Sequence, residues 1–373
     1  MWLVYAGRGR SFIDEFYAEN AIFLSLPGFA ASTAVFESDD LTRRHLAMAD
    51  QVARWVFGIR TVPPIRQAST YAPNPYVAGT AEAKGFSAEL GNIRRMYRDA
   101  KAGDLVLSPR RGQLDPFLIG EIRSNWTPGD ELAISTLNAE LVPIRKVKWL
   151  DTALARRDFP PRIARRLQNQ HAITRLDDRF YKEIFDLVYP SYVWQDNSKF
   201  DVYGDDYRGT DPTQIHPTAV LIKYVVASVF AFEKGQMAQF HALLPDQAVA
   251  LYYDENLIAH FGQNFNSPGA FSVIARKKYL ATLAAAGIII ALSGGAGNLT
   301  MQITHAVAAV SAAIDGPDKA AHQTHMNNYV HSMTSVDWNK VKIEKGEPSR
   351  QTLATSFSAT KQVSTHREQL NAK

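Results

Sequence analysis

The chain contains no cysteine. That excludes a disulfide framework, a thiolate zinc site and a thiol nucleophile, and it fits a reducing cytoplasm. The first residues lack a basic segment followed by a long apolar run, so an N-terminal strand is expected there and not a secretory leader. No serine stands in a G-x-S-x-G elbow, which removes one hydrolase signature. A third glycine is missing from "AGRGR" (Ala6 to Arg10), where Phe12 stands instead, so the turn is not a dinucleotide fingerprint. There is no internal repeat. The uncharged stretch after Tyr279 runs for about 14 apolar residues before "SGGAGN" interrupts it. A spanning helix needs ~20.

What is present describes a globular protein. Of 373 residues, 46% are hydrophobic and 21% charged, enough for two or three domains with cores of their own. A net charge of +4 and a pI near 9.0 permit nucleic acid or an anionic membrane as partner without demanding either.

The pattern along the chain predicts an α+β protein. Residues 1–7 read as a strand, "FIDEFYAEN" as a short helix, "AIFLSL" as a strand and 39–60 as an amphipathic helix. A Pro- and Ser/Thr-rich loop over 61–80 follows, then a helix "AELGNIRRMYRDAKAG" ending on Gly103 as its C-cap. "DLVLSP", "FLIGEI" and "IRKVKWL" are further strands, the last two separated by a polar loop from Thr127 to Glu140. A small, mostly β barrel or half-barrel with two or three helices is expected over the first 150 residues. Residues 181–212, acidic and rich in turn formers, read as a linker. A mainly α-helical domain is expected over 213–332, with Ser267 and Pro268 opening a long helix and an apolar hairpin over 279–314. A polar tail covers 333–373.

Residues that could carry chemistry are few. Glu and Lys are adjacent in "FEKGQ" and "IEKGE", so they cannot face one pocket from a strand, and "EAK" at 82–84 falls in the loop region. Asp205, Asp206 and Asp211 miss the calcium-loop spacing and read as a solvated turn. His322 and His325 share a helix face but lack a third ligand, so no metal and no cofactor is expected. Five arginines fall between 156 and 166, either a solvated face or a phosphate contact. Aromatic residues near strand ends of the first domain, among them Trp2, Tyr5, Phe12, Trp126 and Trp149, are core or the faces of a pocket. A pocket that holds a base out of the stack needs such faces with a few fixed hydrogen-bond groups. Ser25, Ser108 and the backbone around Gly7 and Gly9 could supply these. Arg110, Arg111, Arg145 and Lys146 would meet flanking phosphates.

Taken in order, "WLVYAGRGRSFIDEFYAENAIFLSLPG", "AGDLVLSPRR", "FLIGEI", "RKVKWL" and "LQNQHAITRL" resemble the N-terminal domain of some Mrr-type restriction-system proteins. That domain is similar to the EVE and PUA-like modules that recognise modified nucleobases. The resemblance covers roughly residues 1–180. It implies a base pocket at Tyr5, Gly7, Phe12, Ser25, Ser108, Trp126 and Trp149, with "AGRGR" shaping one rim. Backbone contacts would come from Arg110, Arg111, Arg145 and Lys146, joined by Arg162 and Arg165 if the basic segment 156–166 touches DNA and is not a solvated face. The sequence departs from the family's pattern in having Tyr5 where an arginine is usual, and "LSLPG" where "IGW" is usual. Those changes imply either a pocket reshaped for a different or bulkier base or one no longer used.

The expectation that follows is an antiphage defence protein in the cytoplasm, binding modified phage DNA such as that carrying glucosylated hydroxymethylcytosine. Its second half would act as effector, with membrane association on activation through 279–314, where Arg276, Lys277 and Lys278 suit an anionic surface. The rival reading of 279–314 is a buried core. An enzymatic alternative, a modification-dependent nuclease or base-excising glycosylase, would place Asp206, Asp211 and His216 in the active site. A third is a nucleic-acid-binding module with no preference for modification.

Overall fold

The computed structural model describes residues 1–72, 82–112, 114–168, 171–204, 215–264, 269–293, 319–334 and 361–362. It divides into one unit covering Met1–Val188 and a second beginning at Tyr189. Helices and strands mix in both, so the chain is α+β.

In the first unit seven strands form one sheet: β1 (Trp2–Val4), β2 (Ala21–Phe23), β3 (Leu105–Ser108), β4 (Leu118–Ile122), β5 (Glu131–Ile134), β6 (Glu140–Trp149) and β7 (Ile173–Arg175). Their order is β2-β6-β4-β3-β1-β7, with β5 also on β6. Only β1 and β3 run parallel. No pairing joins β2 to β7 among the described residues, so the path is open and not a closed barrel. The segment read as a polar loop, 127–140, holds β5, a four-residue strand whose Leu132 faces Val142 on β6.

The helices follow local chemistry. In α1 (Ile13–Ala18) Phe16 drops onto the Phe23 ring, edge to face at 5.0 Å. Ser32 caps α2 (Thr33–Glu37) by accepting the Val35 N–H, and Ser38 caps α3 (Asp39–Val56) by accepting that of Leu41. Asp39 and Asp40 sit in the first turn of α3, where the helix dipole favours them. Leu46, Ala49 and Val52 turn inward at helical spacing, and each buried Leu or Val contributes about 1.5–3 kcal/mol. Helix α4 (Glu82–Ile93) widens into a π-helical stretch, Arg94–Asp99. The helix therefore ends at Asp99, and Gly103 lies beyond it in the turn before β3, its N–H on the Ile122 carbonyl. Two short helices, α5 (Pro161–Arg166) and α6 (Tyr181–Val188), complete the unit.

Residues 181–204 correct the linker reading. After α6 the chain forms β8 (Tyr192–Trp194) and β9 (Asn197–Gly204), with Tyr192 and Phe200 fully buried. The second unit holds a five-stranded sheet of order β10-β11-β9-β8-β12, which the expectation of a mainly helical domain did not include. The segments read as a helix end and the start of a long helix are instead β10 (Ile258–Asn264) and β11 (Gly269–Ala275). Ser267 and Pro268 lie outside the described residues, and β11 excludes a helix opening there. The two-residue strand β12 (Lys361–Gln362), inside the expected polar tail, lies parallel to β8.

Helices α7 (Ile215–Glu233), α8 (Met237–Ala242), α9 (Pro245–Tyr252), α10 (Leu280–Ser293) and α11 (Lys319–Thr334) accompany this sheet. The middle of α7 is buried on nearly every side from Leu221 to Ala231, with Lys223 as the exposed exception. Thr282 to Ile288 of α10 and the stripe Met326, Tyr329, Val330 and Met333 of α11 share that core. The described half of the 279–314 segment is thus core helix, while 294–314 lie outside the described residues. Among the described residues no helix is long and apolar enough to cross a membrane.

Candidate functional site

Strand β1 delivers the chain to the "AGRGR" turn. The Tyr5 N–H bonds the Ala172 carbonyl at 2.9 Å, holding the exit of β1 against the approach to β7. Gly7 then takes a left-handed φ of +74°, and Gly9 and Arg10 follow with φ of +64° and +62°. The Gly7 N–H folds back onto the Tyr5 carbonyl at 2.9 Å, so that amide is spent within the turn. Phe12 closes the turn from below, its N–H on the Ala6 carbonyl and its ring 5.5 Å from Phe23. From the rim, Arg10 Nη1 donates to the Arg111 carbonyl at 2.7 Å, and the Arg10 guanidinium lies 5.9 Å from the Tyr5 ring centre.

Opposite this turn, β2 runs out through Leu24, Ser25 and Leu26. Tyr97 fixes that exit: its hydroxyl accepts the Leu24 N–H and donates to the Pro143 carbonyl at 2.7 Å. Between the two rims lies a cleft of about 540 Å³, in the range of small-ligand sites. Tyr5, Gly7 and Arg10 form one wall and Leu24 and Ser25 another. Glu89 and Asn92, one turn apart on α4, close a third.

Burial pushes the Tyr5 phenol above its usual range, with Arg10 and Arg156 pulling the other way, and the hydroxyl donates to the Leu167 carbonyl at 3.1 Å. Burial also raises the Glu89 carboxyl; its own backbone N–H opposes this and Asp50 adds to it. Glu89 Oε2 is buried and makes no hydrogen bond among the described residues. The lining therefore offers an aromatic face, a carboxyl that holds a proton more readily than usual, an amide, a hydroxyl and a cationic rim. Planar heterocycles with edge donors and acceptors are what such a set can hold.

Of the seven base-pocket residues expected from sequence, the structure brings Tyr5, Gly7 and Ser25 to one cleft. The other four are placed elsewhere. Phe12 is core, directly beneath Gly7. Ser108 is fully buried at the end of β3. Trp126 packs edge-on to Phe36 at 4.6 Å and near Tyr97 at 6.3 Å. Trp149 is tied down by its indole N–H, which donates to the Phe16 carbonyl at 3.0 Å.

Arg145 is the clearest correction among the expected phosphate contacts. It is 1% exposed on β6, a strand buried on both faces here, and no phosphate can reach it. Its guanidinium donates to the carbonyls of Ala100 at 3.0 Å and Ser124 at 2.8 Å, and more weakly to Met96. It thereby satisfies carbonyls at the end of the π-helical stretch. Burial pulls its pKa down to about 10, Asp104 opposing. Lys146 is exposed and pairs with Asp130 at 3.0 Å; Arg162 is exposed and pairs with Glu183. Arg110 lies over the Tyr17 ring at 5.8 Å, Arg111 pairs with Asp14 at 3.2 Å, and Arg165 is exposed on α5.

Asp206 and Asp211 lie outside the described residues; His216 falls in the first turn of α7, its side chain likewise undescribed. The cleft also takes in Arg8, Arg10, Glu89, Asn92 and Ala172, which the sequence pattern does not mark as site residues. The available signal was "AELGNI", where Glu89 and Asn92 share a helix face beside the buried Leu90 and Ile93. Among the described residues no group of histidine and carboxylate side chains could hold a metal ion. Comparison with family models, with curated proteins and with solved structures gives no match.

Proposed function

We propose that the unit Met1–Val188 is a PUA/EVE-like module that takes one modified base of DNA out of the stack and holds it in the 540 Å³ cleft. The observation that carries this reading is the convergence of Tyr5 and Ser25, from separate strand exits, with Glu89 and Asn92 beneath a rim of Arg8 and Arg10. Flipping a base costs a few kcal/mol. Stacking on an aromatic ring returns about 1–3 kcal/mol, and edge hydrogen bonds to Glu89, Asn92 and Ser25 supply selectivity. Arg8, Arg10 and Arg156, the last close enough to Tyr5 to act on its ionisation, meet the flanking phosphates.

In this reading the chain is an antiphage defence protein, the first unit its sensor of modified phage DNA and the second its effector. An effector step at a membrane requires α10 to leave the core it shares with α7 and α11. Partitioning of the protein with liposomes, with and without modified DNA, reads that step directly.

The test is binding of the full chain to two DNAs of one sequence, one unmodified and one carrying 5-hydroxymethylcytosine, with strand breaks and released bases scored in the same tubes. Preference for the modified DNA, lost in Tyr5→Ala, supports the sensor. Equal affinity for both overturns it. Cleavage or base release on modified DNA alone moves the protein to the enzyme class.

A further inference from the structure

A second cleft adjoins the first. It measures about 700 Å³, and Ser25, Leu26 and Glu89 line both, so the two spaces meet along these residues. Its remaining wall comes from α3 and the segment after it, with Asp50, Gln51, Arg54, Arg60 and Tyr71, and from Phe86 on α4. The first four are already strung together. Asp50 accepts from Gln51 at 3.2 Å and from Arg54 at 2.9 Å, and Gln51 in turn accepts from Arg60 at 2.7 Å. Each guanidinium spends one of its five N–H groups in these bonds, which leaves donors and acceptors preset at fixed positions.

We infer that this second cleft is the subsite for the substituent on the bound base, and that the substituent is neutral and rich in hydroxyls, of the glycosyl class. The inference rests on the nucleobase reading of the first cleft. Three features select the class. The space is as large as a complete small-ligand site, far more than a methyl or hydroxymethyl group needs. Its polar wall pairs carboxyl, amide and guanidinium groups, the mixture that satisfies vicinal hydroxyls, which both donate and accept. Of the two guanidiniums along it, Arg54 is already paired with Asp50 and Arg60 is engaged by Gln51, so a phosphorylated or carboxylated substituent would find no pair of free cations. Glu89, on the shared wall with its unpaired Oε2, is positioned to read the linkage between base and substituent. Tyr71 and Phe86 offer apolar faces for the C–H side of a sugar ring.

The experiment is a fluorescence-anisotropy titration of the full chain with three oligonucleotides that differ at one cytosine: unmodified, 5-hydroxymethylated and glucosylated on that hydroxymethyl. The expected order places the glucosylated strand about ten-fold or more tighter than the hydroxymethylated one. Gln51→Ala and, separately, Arg60→Gln should abolish that advantage, bringing the glucosylated strand to the hydroxymethylated level. Thermal unfolding of each variant guards against loss of fold. Should the hydroxymethylated strand beat the unmodified one while glucose adds nothing, the subsite is overturned and the base-binding reading stands. A glucosyl advantage that persists in both folded variants overturns it as well. If all three strands bind alike, the base-binding reading itself falls.

Discussion

Gly7 sits against the face of Phe12 so closely that a Cβ at position 7 would stand 2.5 Å from Phe12 Cδ2. Its φ of +74° with ψ near 180° belongs to a region essentially restricted to glycine. Gly9, two residues on, has φ +64° and ψ 13°, and a Cβ there meets nothing. Gly7→Ala is therefore expected to destabilise the first unit by about 3 kcal/mol, from strain plus the clash with a core ring. Gly9→Ala should cost only about 1 kcal/mol, the ordinary left-handed penalty. Urea midpoints of the two variants, measured side by side, check the difference; equal midpoints would contradict it.

Arg145 tests whether a buried cation is structural. Arg145→Lys keeps the charge but cannot reach all three carbonyls, which lie on two segments, and should cost about 2–4 kcal/mol. Arg145→Met removes the charge with similar volume and should be better tolerated than Arg145→Lys. Neither change should alter DNA affinity per folded molecule.

In the second unit, the Tyr329 and Ser228 hydroxyls meet at 2.7 Å inside an otherwise apolar core. Gly287 makes room for them: a Cβ there would lie 2.6 Å from the Tyr329 hydroxyl and from Val225 Cγ1. Tyr329→Phe is expected to cost about 1–2 kcal/mol, since Ser228 keeps its bond to the Val225 carbonyl. Gly287→Ala should cost about 1–3 kcal/mol through overpacking. The double variant should cost less than the sum, because removing the hydroxyl relieves one of the two close approaches.

Acid should weaken both units. Burial lowers the pKa of His45 in the first unit and of His241 and His325 in the second, with Lys277 adding to the effect at His325. A histidine depressed in the fold takes its proton first in the unfolded chain. Its stabilising contribution is present above about pH 6.5 and is lost as pH falls through the folded value. Denaturation midpoints should therefore drop between pH 7.5 and 5.5, and His45→Gln should flatten the part belonging to the first unit. A flat profile in the unsubstituted chain would refute the assignment.

The rim arginines differ from the other cations in what they should do to salt dependence. Arg8→Ala, Arg10→Ala and Arg156→Ala are each expected to lower the slope of log K against log salt by roughly 0.7–0.9 on DNA. Lys146→Ala and Arg162→Ala should leave the slope unchanged, because Asp130 and Glu183 already engage those side chains.

The parts of the fold that were legible in sequence are those with strong local signals. Ser38 before two aspartates announces α3, and the apolar runs of β3 and β4 announce themselves. β9 was hidden because its pattern is "NSKFDVYG". Lys199 and Asp201 are both buried there and pair at 3.2 Å, so a sheet strand reads as a solvated linker. β10 and β11 were hidden for another reason: short apolar runs next to helical ones do not declare their period, and only the long-range pairing with β9 decides them. At the site, Tyr5, Gly7 and Ser25 could be found because strand exits and glycine turns mark pocket rims. For Glu89 and Asn92 the shared helix face in "AELGNI" is a weak signal, because polar residues on an amphipathic helix ordinarily face water.

The place of β1 in the sheet also fixes when the first unit can be completed during synthesis. Leu3 is flanked by Leu107 on β3 and by Thr174 on β7, so β1 must be enclosed by a strand made about 170 residues after it. At ribosomal speeds of about 5–20 residues per second, the Trp2–Val4 segment waits roughly 10 to 35 s for its second neighbour. During that interval an apolar edge is open to other nascent chains. The protein's yield in a cell should therefore depend on chaperone supply and translation rate more than its finished stability would suggest.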